Sequence, residues 1–108
     1  MSTPYTPETL TREAVDQLPG ATVLDFGTNW CGYCQTAEPI VDALMAERVN
    51  LTHIKVEDGK GRPLGRSYSI KQWPTLVFLA NGQEIARIVR PTDKTEIADA
   101  LEQITAAV

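Results

Sequence analysis

Apolar and polar positions along the chain change period several times, and each change marks an element. In TPETLTREAVDQLP (6–19), Leu10, Ala14, Val15 and Leu18 recur at helical spacing. Thr6 suits the cap of such a helix, Pro7 its first position and Glu8 the positive end of its dipole, and Pro19-Gly20 ends it. ATVLDF (21–26) is apolar with little alternation, the pattern of a strand covered on both faces. YCQTAEPIVDALMAER (33–48) returns to helical spacing with Ala37, Ile40, Val41 and Leu44 inward, and Pro39 inside it is expected to bend it. NLTHIKVE (50–57) reads as a second strand, and the turn-rich DGKGRPLGRSYS holds a short helix from Pro63. TLVFLA, Asn81-Gly82 and QEIARIV form a hairpin, because Asn-Gly supplies the positive φ angles of a two-residue turn. The last helix lies within 92–108, with Ile97, Ala100, Leu101, Ile104 and Val108 on one face and Asp93 and Glu96 as a capping box. The order α-β-α-β-α-β-β-α implies an α/β fold with a mixed sheet between helices.

The totals narrow this picture. A chain of 108 residues is expected to form one domain, 1–108, around a single core. No segment approaches the roughly 20 apolar residues that a membrane helix needs, so no membrane partner is expected. The start, MSTPYTPETL, has no basic region followed by an apolar stretch, so the cytoplasm is the expected compartment. Net charge is −4 with both signs interspersed, and without a basic stripe nucleic acid is not an expected partner. Nothing points to an oligomer, and a monomer is expected.

Both cysteines lie in NWCGYCQ (29–35), three positions apart. A structural crosslink across so short a loop would remove little chain entropy from the unfolded state. A zinc site needs about four ligands, and His53, the only histidine, stands on a strand with no partner at ligand spacing, which reads as a half-exposed strand residue. The redox alternative draws support from placement. Cys31 follows a buried strand and precedes a helix, whose unpaired N–H groups favour a thiolate there. Cys34 lies one turn further in, where a second sulfur can attack the first. The strand itself carries Asp25, a carboxylate that is costly to bury unless paired or protonated. It is either a proton acceptor for the inner thiol or an exposed aspartate near a strand end; the pattern leaves both open.

WCGYC after VLDF, Pro39 five residues beyond Cys34, Lys55 on the next strand, Trp73-Pro74-Thr75 and the following Asn-Gly resemble the thioredoxin family over about residues 8–107. The resemblance implies a thioredoxin-like fold, a central mixed sheet of four or five strands flanked by helices on both faces, and disulfide exchange with client proteins. It implies that Cys31 is the nucleophile and Cys34 the resolving thiol. Asp25 matches the family's buried acid and Lys55 the lysine neighbouring it; otherwise Lys55 is a solvated strand-edge charge. Pro74 matches the cis-proline facing the disulfide, which exposes the backbone of Trp73 for strand-like pairing with a client. Trp30 matches the aromatic beside the pair, and Gly32 and Tyr33 stand between the cysteines within the client surface.

Four positions depart from the family pattern. Tyr33 stands where thioredoxins usually carry proline, from which a potential more oxidising than the roughly −270 mV of thioredoxin is expected. Gly27 replaces a tryptophan, removing a large group beneath the active loop. Trp73 precedes the cis-proline in place of a smaller residue. Arg90-Pro91 stands where a glycine usually lets the client backbone approach, so Trp73 and Arg90 are expected to narrow the groove and change the client range. The family's first strand is hard to find, since STPYT is short and carries a proline. The expected activity is disulfide reduction in client proteins without a bound cofactor. The chain has no dinucleotide fingerprint, so a separate reductase, of the NADPH-dependent thioredoxin reductase kind, is expected to recharge the pair. The rival functions are a disulfide oxidase or isomerase and a partner-binding module whose thiols are incidental.

Overall fold

A computed structural model describes residues 3–108. The elements are β1 (Thr6–Pro7), α1 (Arg12–Asp16), β2 (Ala21–Gly27), α2 (Gly32–Ala46), β3 (Leu51–Glu57), α3 (Pro63–Ser67), β4 (Thr75–Ala80), β5 (Gln83–Val89) and α4 (Lys94–Ala106). The sheet has five strands in the order β1-β3-β2-β4-β5. β1, β3 and β2 run parallel, and β4 and β5 are antiparallel to their neighbours.

Strand alternation sends side chains to two cores. Ala21 and Val23 of β2 join Leu76, Phe78 and Ala80 of β4 under α2 and α4, where Ala37, Val41, Ile97, Leu101 and Ile104 meet them. Leu24, Phe26, Val77 and Leu79 point the other way and pack with Val15, Leu64 and Tyr68 from the α1 and α3 side. Every residue of β2 is buried, which accounts for its unbroken apolar run. Asp25 therefore stands on the α2 side of the sheet, two positions beyond Val23.

Three expectations are corrected. No helix spans 6–19: Thr6 and Pro7 pair with Val56 and Glu57 at the sheet edge, and α1 begins only after Thr11, whose hydroxyl accepts from the Ala14 N–H. Pro7 lacks an N–H and fits an edge strand as readily as a first helical turn. In α2, Met45 rather than Ile40 completes the buried face, and Ile40 is exposed. Val108 lies beyond the end of α4 and is exposed. The hairpin forms as expected, with φ of 51° at Asn81 and 83° at Gly82. A Cβ on Gly82 would overlap the Asp16 carbonyl, so glycine is needed there for space as well as for φ.

Candidate active site

β2 ends at Gly27, and four residues later the chain enters α2 with Cys31 as its N-cap. The Cys31 sulfur accepts the Cys34 N–H at 3.2 Å. A cysteine cap places the sulfur against the unpaired amides and positive dipole end of a 15-residue helix. Both cysteines are free thiols. Cys31 is the outer one, at 8% exposure, and Cys34 the inner, at 2%. Burial, then the neighbouring Cys31 sulfur, pushes the Cys34 thiol up to about 12. At neutral pH it keeps its proton and needs an acceptor before it can attack.

Asp25 is buried beneath the pair, which excludes the exposed-aspartate alternative. Its Oδ1 accepts the Tyr5 hydroxyl at 2.7 Å, and its Oδ2 lies 3.0 Å from His53 Nε2. Burial, then the adjacent Asp25 carboxylate, raises the Tyr5 phenol far above its ordinary value. Lys55 neighbours Asp25 in the sheet, as expected, and is buried rather than a solvated edge charge, but it does not bond the acid. Its Cα is in register with Asp25, but its ammonium turns toward α2, bonding Glu38 at 3.2 Å, Asp42 at 3.4 Å and the Thr3 carbonyl at 2.9 Å. The partner of Asp25 on β3 is His53, a partly exposed strand residue as expected, whose Nε2 also meets the acid. An imidazole spans the diagonal from the preceding same-face position, whereas the longer lysine reaches past it to two carboxylates.

Tyr5 was not singled out by sequence. It lies just before β1 in a segment pinned to the active loop, its N–H donating to Asn29 Oδ1 at 2.8 Å and its carbonyl accepting from Asn29 Nδ2 at 3.0 Å. Gly27 makes room for it. A Cβ on Gly27 would stand 2.6 Å from Cys34 Sγ and 2.8 and 2.9 Å from Tyr5 Cζ and Oη. Phenol and inner sulfur thus flank one point that only a glycine leaves open. Where a large packing group was expected to be missing, the ring of Tyr5 stands.

The outer surface joins the remaining candidates. The Trp73–Pro74 bond is cis. The Trp73 carbonyl lies 3.9 Å from Cys31 Sγ and accepts Arg90 Nε at 3.1 Å, so this backbone is not wholly exposed as expected. The Arg90 guanidinium also lies 3.8 Å over the Tyr33 ring. Arg90 has φ of 50°, the left-handed region where a glycine is at ease. Trp73 meets exposed Trp30 edge-on at 5.6 Å, and its Nε1 donates to Asp58 Oδ2 at 2.9 Å. Gly32 stands exposed at the first position of α2. Among the described residues no three His, Cys, Asp or Glu side chains group as metal ligands, and no helix is long and apolar enough to cross a membrane.

Known proteins resemble this chain in sequence and fold. Thioredoxin 2 from Pseudomonas aeruginosa PAO1, solved in its reduced form, covers 100% of both chains at 44% identity with a TM-score of 0.85. A thioredoxin of Chlamydia trachomatis serovar D is 37% identical over 79 residues, 72% of this chain and 76% of that protein. A peptide-N(4)-(N-acetyl-beta-glucosaminyl)asparagine amidase of Caenorhabditis elegans is 36% identical over 81 residues, 75% of this chain, which spans 13% of the amidase's length. The family model described as Thioredoxin matches residues 5–103, so that the cysteine pair, the buried aspartate and the cis-proline all fall inside the match. The chain belongs to the thioredoxin family.

Proposed function

We propose that this thiol–disulfide oxidoreductase works as a reductant of disulfides in client proteins, with Cys31 as the attacking sulfur and Cys34 as the resolving one. The observation that carries this is the asymmetry of the pair: Cys31 caps a helix with its sulfur on the Cys34 amide, while Cys34 is buried and holds its proton. Cys31 attacks as thiolate and forms a mixed disulfide with the client. Cys34, deprotonated with Asp25 as the final acceptor, then attacks Cys31, and the reduced client leaves. The surface of Trp30, Gly32, Tyr33, Trp73, Pro74 and Arg90 meets the client around the reacting sulfurs.

Family members act on disulfide-containing clients and are recharged by reductases. The recharging enzyme for this chain is of the NADPH-dependent thioredoxin reductase class, the working unit is a monomeric single domain of residues 1–108, and its compartment is the cytoplasm. Reduction of an insulin-type disulfide substrate tests the scheme. Cys31→Ser abolishes turnover, and Cys34→Ser accumulates mixed disulfides at Cys31 that a thiol reductant releases. Full turnover by Cys34→Ser would refute the two-sulfur mechanism.

A further inference from the structure

The two-step scheme leaves a gap between donor and acceptor. Cys34 must lose a proton, Asp25 is to receive it, and the hydroxyl of Tyr5 stands between them. That hydroxyl donates to Asp25 Oδ1 at 2.7 Å and shares with Cys34 Sγ the small space beside Gly27. On the far side of the carboxylate, His53 holds Oδ2 at 3.0 Å. His53 lines an open recess with Thr3, Asp42, Met45, Ala46 and Lys55, whereas Asp25 itself is sealed from solvent. The four groups form one line from the inner sulfur to the surface.

We propose that Tyr5 is a catalytic residue of the resolving step, relaying the Cys34 proton to Asp25, and that His53 is a positioning residue that fixes this acid and links it to solvent. The inference rests on the assignment of Cys34 as resolving thiol and Asp25 as its acceptor. As Cys34 Sγ bonds to Cys31 Sγ, the Cys31–client S–S bond breaks and the client sulfur leaves with the electron pair as a thiolate. The Cys34 proton passes to Tyr5 Oη while the Tyr5 proton passes to Asp25 Oδ1. Asp25 returns that proton to solvent on the His53 side. Cys34 and Cys31 end oxidised and the client sulfur reduced, and the phenol is regenerated. A phenol whose ionisation is opposed by burial and by an adjacent carboxylate does not store charge; it exchanges one proton for another in a single event.

The surroundings restrict which groups set the pH response. Asp25 faces Tyr5 from the segment before β1, His53 and Lys55 from β3 and the uncharged Leu76 across β4, with Cys34 of α2 on the other side of the Tyr5 hydroxyl, beside Gly27. Lys55 is itself engaged by Glu38 and Asp42 of α2, which leaves Tyr5 and His53 as the side chains in direct contact with the acid.

Stopped-flow reaction of the reduced protein with 5,5′-dithiobis(2-nitrobenzoate) separates the steps, because Cys31 attack releases one coloured thiolate and Cys34 resolution a second. Tyr5→Phe keeps the ring and removes only the hydroxyl. It is expected to leave the first release within twofold and to slow the second at least tenfold, flattening its pH profile between pH 6 and 9. His53→Gln is expected to slow the second release severalfold and move the midpoint of its pH profile. A second release with unchanged rate and profile in Tyr5→Phe overturns the proposal, and equal slowing of both phases, the mark of a packing role, overturns it as well. An unchanged profile in His53→Gln removes His53 from it. Persistence of the second release in Cys34→Ser would instead refute the two-sulfur mechanism beneath it.

Discussion

Gly27→Ala tests the close packing beneath the cysteines with the smallest possible change. Gly27 has no positive φ, so its backbone suits alanine, and such a replacement normally stabilises by about 0.4–1 kcal/mol through the unfolded chain. Space reverses the sign. The new methyl would lie 2.6 Å from Cys34 Sγ and 2.8 Å from Tyr5 Cζ, and neither neighbour is the free end of a flexible chain. If the surroundings shift to admit it, overpacking costs about 1–3 kcal/mol. If Tyr5 is expelled instead, its ring burial and its bond to Asp25 are lost, with a ceiling of about 3–5 kcal/mol set by deletion of a buried aromatic. The cheaper route wins, so once the gain through the unfolded chain is subtracted a net loss of up to about 2.5 kcal/mol is expected. Equilibrium urea unfolding of the reduced protein measures it, provided the slope with denaturant is unchanged. A double-mutant cycle with Tyr5→Ala isolates the cause. In that background only the Cys34 contact remains, so Gly27→Ala should cost at least about 1 kcal/mol less than in the parent. Equal cost in both backgrounds, or a stabilised Gly27→Ala protein, would refute the placement of Tyr5 against this glycine.

Two further outcomes follow from the same site. The Cys34 thiol is raised from 9.0 to about 12 in the folded protein, so above pH 9 the unfolded chain releases this proton first. Its contribution is complete below pH 9 and falls by up to about 1.4 kcal/mol per pH unit as pH rises toward 12. Reduced Cys34→Ser should keep its urea midpoint flat until nearer pH 10, where the raised tyrosines Tyr5 and Tyr68 take over, and an identical decline from pH 9 in both proteins would contradict this. Arg90→Gly should be nearly neutral in stability, because the left-handed backbone cost of about 1 kcal/mol that it relieves offsets the bond of similar worth that it loses. It frees the Trp73 carbonyl, so reduction of an extended peptide disulfide should rise severalfold while a small aromatic disulfide reacts as before; equal rates on the peptide would show that Arg90 does not restrict the groove.

Much of the fold could be read where periodicity and burial coincide. β2 is buried from end to end, and its apolar run announces that directly. Asn81-Gly82 carries its own turn geometry. The chain before β2 misled because its signals are degenerate. Thr6 and Thr11 are equally good caps, and Pro7 serves a helix start or a sheet edge. Val56 and Glu57, some fifty positions away, decide between them by pairing with Thr6 and Pro7. Ile40 reads as core because it keeps helical spacing with Ala37 and Leu44. The helix is rotated so that Met45 meets the sheet instead, and spacing alone does not fix that rotation.

The cysteine pair was legible because its chemistry is local: three positions and a helix start set it. The proton-handling groups are not local. Tyr5 and His53 reach Asp25 from 20 and 28 residues away, and neither belongs to a motif. Two weak signals point to them. A glycine at the end of a fully buried strand, Gly27, costs packing and marks a close approach by another group. Strand alternation puts His53 and Lys55 on the same face of β3, so either can meet an acid on the neighbouring strand. Choosing between them requires knowing what stands on α2. Glu38 and Asp42, four positions apart on that helix, draw the longer cation away. The acid is left to the imidazole. The glycine at the end of β2 and the histidine on β3 therefore serve one arrangement: Gly27 admits the phenol, the phenol stands between sulfur and carboxylate, and His53 joins that carboxylate to the open recess.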